Sequence, residues 1–191
     1  MTFRPTRCPH CKRKLEAGQR IHPECIDGYA HAQAAKAERT AAKKERMAAR
    51  VERAETRKRR EAAKTIPVLT KEAQHAFNAY IRARDRAAGH SCISSGRPLD
   101  WSGNAVDAGH YRSTGAASHL RFNEDNCHAQ SKHDNKFLAG NAIDYRIRLI
   151  DRIGLERVEA LEADNRIHKW THDELRRIRD HYREKLSWVK R

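Results

Sequence analysis

Apolar side chains are spread very unevenly along the chain. From Ala30 to Lys64 the only sizeable ones are Met47 and Val51, in a run of Ala, Glu, Lys and Arg. Those four residue types are strong helix formers, so the run predicts one long helix. Apolar a and d positions are missing, which argues against a coiled coil. Pro67 closes the run, because proline disfavours helix in the residue before it. The next segment, "TKEAQHAFNAYIRARDRAA", places Phe77, Tyr80, Ile81 and Arg84 on one helical face, with Thr70 as N-cap and Gly89 beyond the end. A further helix is predicted from about Lys136 to Ile153, with Ile143, Ile147, Leu149 and Ile150 as its apolar stripe and Gly154 after its C-terminus. A shorter one holds Leu155, Val158 and Leu161. The last begins at a Thr171/Glu174 capping box and continues through Leu175, Ile178, Tyr182, Leu186 and Val189. Trp170 and Trp188 are expected to pack against the central part. Strand-like alternation is confined to "AVDAGHY" and "HLRFN", enough for one small hairpin. The fold class that follows is α+β and mostly helical.

Composition sharpens this picture. Of 191 residues, 38% are apolar and 34% charged, too polar for one compact globule of that length. Four segments separate: 1–27 with three of the five cysteines, a charged helix or linker over 28–66, a central domain over 67–165, and a C-terminal helix over 166–191. The formal net charge of +15 and a pI near 10 point to a polyanionic partner, nucleic acid first and an acidic membrane surface second. No run of about 18 apolar residues could span a bilayer, and the N-terminus has no apolar signal-peptide core. A soluble protein of the cytoplasm is expected. Lys36 to Lys64 hold twelve Lys/Arg against five Glu, a net +7. That segment reads either as a basic arm leaning on phosphates or as a solvated linker helix.

An odd number of cysteines in a reducing compartment suggests metal ligands or buried thiols before disulfides. In "RCPHCKRKLEAGQRIHPEC" two close pairs, Cys8-x2-Cys11 and His22-x2-Cys25, lie about ten residues apart, a spacing that suits tetrahedral zinc. The fragment is too short to fold on apolar burial, so a metal would supply its folding energy. The alternatives are a disordered basic tail, or His10 in place of His22 as fourth ligand.

The most polar stretches are "DAGHYR" and "NCHAQSKHDN". Their order is strand, His110, loop, strand, Asn126, polar turn, then helix at Asn135. This layout resembles the HNH endonucleases, whose core is a ββα-metal hairpin and helix. The wider chain, over roughly residues 68 to 180, looks like the NinG (Rap) recombination proteins of lambdoid phages. That likeness rests on "AFNAYIRARD", "DAGHYRST", "LRFNEDNCHAQ" and "GNAIDYRIRLIDRIG".

The resemblance implies roles. His110 matches the general base that activates water, Asn126 the asparagine that orients it through its other ring nitrogen, and Asn135 the helix ligand for a divalent cation, Mg²⁺ or Mn²⁺. HNH domains usually place a further ligand immediately before the base, where this chain has Gly109. Asp107, a backbone group or His128 could take that role; His133 and Asp134 crowd the same turn. Family members often add two Cys-x2-Cys pairs for a structural zinc. The matching positions are Cys92 and Ser95, then Ser131 and Asp134, so that zinc is not expected. Cys127 is out of register, and hydrogen bonds among Ser95, Ser131 and Asp134 could replace the staple. Arg112, Arg121, Arg146 and Arg148 are candidate phosphate contacts, although Arg146 and Arg148 could equally be solvated. The activity implied is metal-dependent cleavage of branched DNA such as Holliday junctions or D-loops, for which a homodimer would be plausible. The alternatives are a non-catalytic DNA-binding accessory protein with a degenerate HNH domain, and an RNA-binding protein resting on charge alone.

Overall fold

A computed structural model of the chain describes residues 6–137 and 141–191. It divides into two compact units, Met1–Ala63 and Lys64–Arg191.

The first unit holds the cysteine pairs and the long helix. A tight turn around Cys8 is closed by an antiparallel bridge between Arg7 and Lys14. A short 3-10 turn, Pro23–Cys25, then leads directly into α1, Ile26–Ala62, which has no buried residue. The expected long charged helix is therefore present, and it begins before residue 28.

In the second unit α2 spans Ile66–Ala87. The expectation of a start at Thr70 is corrected: Thr65 is the N-cap, Pro67 sits in the first turn, and Thr70 Oγ bonds back to the Ile66 carbonyl at 2.8 Å. Proline has no N–H to lose in a first turn, so here it opens a helix as readily as it closes one. α6, His172–Val189, begins at the expected capping box: Thr171 N–H donates to Glu174 Oε2 at 2.8 Å, and Glu174 N–H to Thr171 Oγ1 at 3.3 Å. α6 packs on α2 in the same unit. Phe77 stacks edge-on against Tyr182 at 4.8 Å, Arg179 pairs with Glu72 at 2.9 Å, and Leu69, Ala73, Ile81 and Leu175 fill the core between them.

The hairpin pairs β1, Val106–His110, with β2, Cys127–Ser131, antiparallel, with Asp107 opposite Gln130, Gly109 opposite His128 and His110 opposite Cys127. α3, Lys132–Phe137, follows β2 without a break. The second strand is not "HLRFN". Leu120 ends a 3-10 turn and packs in a core with Ile93, Tyr145, Leu149, Val158 and Leu161, while Phe122 enters the α2/α6 core. Alternate burial arises because the chain passes between two cores. The hairpin lies between them too: Ala108 and Cys127 face α2, and the Tyr145 hydroxyl donates to the Gly109 carbonyl at 2.9 Å.

The helix expected from Lys136 is divided between α3 and α4, Ala142–Ile153; residues 138–140 lie outside the described residues. α4 buries Tyr145 and Leu149, whereas Ile143 and Ile147 are exposed. α5, Leu155–Ala163, buries Val158 and Leu161. Trp170 packs on Phe122 at 5.1 Å, but Trp188 is exposed, against expectation.

One buried charge ties α2 to the hairpin. Asp85, fully buried, accepts the Ala129 N–H of β2 at 2.6 Å and the Arg84 Nε–H at 2.7 Å, with Arg152 of α4 at 3.8 Å. Arg84 also donates to the carbonyls of Glu124 and Cys127. Removing one member of a buried ion pair strands the others, so Asp85→Ala is expected to cost about 3–5 kcal/mol. Asp85→Asn, which keeps an acceptor, should cost less. Urea unfolding followed by tryptophan fluorescence measures this unit alone, because Trp101, Trp170 and Trp188 all lie within it.

Candidate active site and metal centre

The ligand atoms of Cys8, Cys11, His22 and Cys25 all lie within 4.8 Å of one another. The first pair sits in a turn closed by Cys8 N–H to the Arg13 carbonyl at 2.8 Å and Lys12 N–H to the Cys8 carbonyl at 3.0 Å, with Lys12 at φ 64°. The second pair flanks the 3-10 turn before α1, where Cys25 N–H donates to the His22 carbonyl at 2.9 Å. His22 Nε2–H donates to the Lys14 carbonyl at 3.1 Å and Nδ1 faces the Cys11 sulfur at 3.3 Å. That backbone bond fixes the tautomer that leaves Nδ1 free as a ligand. The cluster could bind a metal such as zinc. His10 is not a member; its ring lies against Gly28.

The second cysteine-type cluster carries no metal-binding set, yet it is assembled. Cys92 N–H donates to the Arg97 carbonyl at 2.9 Å and Gly96 N–H to the Cys92 carbonyl at 2.9 Å, with Gly96 at φ 68°. This turn repeats the bonding of the turn at Cys8. The Cys92 thiol donates to Asp134 Oδ2 at 3.1 Å, and Asp134 N–H donates to Ser131 Oγ at 3.1 Å. Bonds from Cys92, Ser95 and Ser131 hold the Asp134 carboxyl below its ordinary range, against the burial that raises it. Hydrogen bonds thus join β2 and α3 to the turn, as the residue types suggested.

His110, at the end of β1, donates Nε2–H to the Arg121 carbonyl at 2.9 Å. A carbonyl can only accept, so the proton is on Nε2 and Nδ1 keeps its lone pair. Nδ1 faces the Cys127 sulfur at 3.8 Å, and the ring lies 6.0 Å from Phe77. Burial pushes the His110 pKa below 6.5 and raises that of Cys127 far above a thiol's ordinary value, so both are neutral at pH 7.

Asn126 does not reach the imidazole, a correction to the expected contact. Its fully buried amide accepts from Arg112 N–H at 2.8 Å and donates to the Arg112 and Leu120 carbonyls at 3.0 and 3.2 Å. It clasps the two ends of the loop that carries Arg121, and so acts on His110 through the backbone.

Asp107 and Asn135 meet. Asn135 Nδ2–H donates to Asp107 Oδ2 at 3.1 Å, which leaves the Asn135 carbonyl oxygen and Asp107 Oδ1 as oxygen donors side by side. Alternation puts them on the face of β1 shared with Gly109, opposite to His110. Gly109 is required there: a Cβ would lie 1.9 Å from the Oε1 of buried Gln130.

His128 is not placed as a metal ligand. It is buried, Nδ1 faces Arg84 at 3.1 Å and Arg152 at 3.5 Å, and Nε2–H donates to the Asp125 carbonyl at 3.1 Å. Both nitrogens are engaged, and two guanidinium groups would repel a cation. The arginines are also spoken for. Arg112 caps the carbonyls of Leu161 and Asp164 at the end of α5; Arg121 donates to Gln74 at 3.2 Å. Arg146 pairs with Glu162 at 2.7 Å, and Arg148 donates to the Ser94 carbonyl at 3.0 Å. They brace the fold around the hairpin. Among the described residues, no helix is long and apolar enough to cross a membrane.

Burial, followed by the Arg84 charge, pushes the His128 pKa down from 6.5 to about 3. The unfolded chain takes up a proton below 6.5 that the folded one refuses, so this residue's contribution is intact above pH 6.5 and lost as pH falls toward 3. The slope is at most about 1.4 kcal/mol per pH unit. His128→Gln is expected to flatten the urea-midpoint profile between pH 6 and about 4, read as the difference from wild type.

A family model described as "Bacteriophage Lambda NinG protein" matches residues 2–191. The chain is 43% identical over 131 residues to the protein ninG of Salmonella phage P22, covering 68% of this chain and 61% of that protein. It is 44% identical over 131 residues to the protein ninG of Escherichia phage lambda, with the same 68% and 61% coverage. The protein ninG of Enterobacteria phage H19B is 48% identical over 154 residues, 80% of this chain and 73% of that protein. The chain thus spans about three fifths of the length of the P22 and lambda proteins. No solved structure matches. With the family match running along nearly its whole length, the chain belongs to the NinG family of lambdoid phages.

Proposed function

We propose that this protein is a metal-dependent DNA endonuclease acting on branched recombination intermediates, with the hairpin and α3 as an HNH-type core. The observation that carries this reading is the imidazole of His110, neutral and held in one tautomer by the Arg121 carbonyl at 2.9 Å. An imidazole whose unprotonated Nδ1 meets only a neutral thiol, Cys127 at 3.8 Å, is suited to take a proton from water that displaces that contact. The hydroxide so formed attacks phosphorus, and the bond to the 3′ oxygen breaks.

Asp107 and Asn135 fit a hard cation such as Mg²⁺ or Mn²⁺. Both offer oxygen, and Mg²⁺ sites commonly use one or two carboxylates with water and phosphate completing the shell. A cation held there could neutralise charge on a bound phosphate, but it would lie on the face of β1 opposite His110, apart from the water that His110 activates. Asn126 is a positioning residue: it closes the loop whose carbonyl orients His110. The Cys8, Cys11, His22 and Cys25 cluster serves as a structural zinc site.

A second reading, an accessory DNA-binding protein without activity, is favoured by Gly109. The position that usually supplies a ligand cannot, and the neighbouring His128 is engaged elsewhere.

The deciding assay uses a labelled four-way junction and a matched linear duplex, with and without added Mg²⁺ or Mn²⁺. Junction cutting that needs the cation and falls by about 10²–10⁴ in His110→Ala supports the nuclease. Its acid limb should lie below pH 6.5, because the base is neutral above that. Tight binding with no cutting in either metal overturns it. Separately, purified protein should carry about one zinc per chain by elemental analysis, and Cys25→Ser about none, with loss of the packing of His22 and residue 25 against the turn at Cys8.

A further inference from the structure

The cations of α1 are ordered. Lys36, Arg39, Lys43, Arg46, Arg50, Arg53, Arg57 and Arg60 follow one another at alternating steps of three and four residues. Eight of the twelve Lys/Arg between Lys36 and Lys64 therefore fall on the a and d positions of a heptad, over four repeats. None of the five glutamates does: Glu38, Glu45 and Glu52 share one position off the stripe, and Glu55 and Glu61 occupy others. The flanking positions are mostly small, including Ala35, Ala42, Ala49, Ala54 and Thr56. Every stripe cation is exposed, while Ala42, Ala49 and Ala54 are half-covered beside them. Arg46, Arg50, Arg53 and Arg57 line a shallow groove of about 610 Å³ with Ala49 and Ala54 at its base. The Arg59–Glu55 ion pair, 3.7 Å, lies away from it.

We propose that this stripe is a binding site for the phosphate backbone of a DNA duplex. From Lys36 to Arg60 the helix rises 24 steps of about 1.5 Å, a line of positive charge about 36 Å long and close to one turn of B-DNA. Duplex DNA presents a phosphate about every 1.7 Å of its axis, so charge is available along the whole line. The small flanking side chains let the helix approach closely, and a helix is narrow enough for the major groove of B-DNA, unlike the deep, narrow groove of A-form RNA. A second copy of the helix is excluded as occupant, because eight like charges would meet at the seam. A membrane surface is excluded because the stretch of helix that carries the stripe, Lys36 to Arg60, offers only Met47 and Val51 as sizeable apolar groups, too little to bury.

The site deepens the DNA reading above, yet it does not depend on catalysis. Its test measures binding alone, with no added Mg²⁺ or Mn²⁺, so loss of cutting in His110→Ala leaves it standing. The whole 191-residue chain is titrated against a fluorescent linear duplex at several salt concentrations. Two triple variants with equal charge are compared: Arg46→Gln, Arg50→Gln, Arg53→Gln on the stripe, and Lys44→Gln, Lys58→Gln, Arg59→Gln off it. The stripe triple should reduce the slope of log affinity against log salt by about 3, and the off-stripe triple by less than about 1. Arg46→Lys, Arg50→Lys, Arg53→Lys should bind like wild type, with helix content by circular dichroism unchanged in all. Equal losses in the two Gln triples, no loss in either, or tighter binding to duplex RNA or anionic vesicles than to DNA would overturn the site.

Discussion

The carboxylate of Asp85 is the point on which the second unit depends. Buried near the end of α2, it accepts the Ala129 N–H in the middle of β2 and balances Arg84 and Arg152. A two-stranded hairpin is marginal by itself. Here one strand is bonded sideways into a helix that is already anchored by α6, and Arg84 grips the carbonyls on either side of Asn126. The backbone that positions His110, Asp107 and Asn135 inherits its rigidity from that buried charge. His128 belongs to the same arrangement, as a neutral ring accepting from Arg84, which is why it is unsuited to a cation.

What could be read from residues alone followed how local each signal was. The capping box at Thr171 and Glu174 and the paired spacing of Cys8, Cys11, His22 and Cys25 are short-range chemistry, and both are in place. "HLRFN" alternates like a strand but is not one, because Leu120 and Phe122 enter two separate cores, a fact of tertiary packing. The exposure of Trp188 has the same origin. At the candidate site, the resemblance points to His110 and Asn135, and to Asp107 as one alternative among several, but not to the meeting of Asp107 with Asn135. Nor does it point to the contact of Asn126 with backbone instead of ring, because an amide's partner depends on how a loop of more than ten residues closes. Gln130, which makes Gly109 obligatory, carried no visible signal. The ordered cations of α1 were visible in principle; a search for apolar heptads passes over a heptad made of arginine.

Charge is divided between the units by use. Around the hairpin, arginines are consumed internally: Arg112 caps α5, Arg146 pairs with Glu162, and Arg84 and Arg152 surround Asp85. These side chains have lost their freedom to meet a ligand and work as braces. In the first unit the cations line an exposed helix with no buried residue. A net charge of +15 therefore says little about where a polyanion would lie until the internal partners are subtracted.

The two cysteine turns, at Cys8 and at Cys92, have the same backbone bonds but different company. One faces a histidine and a further thiol, the other a hydroxyl and a carboxylate. Since the turn at Cys92 closes without thiols opposite it, the loop shape is a property of the peptide and not an imprint of an ion. Coordination at Cys8 would then have only the distant half of its cage left to organise, and the chain carries, in its own second copy of the motif, a template already shaped for the first.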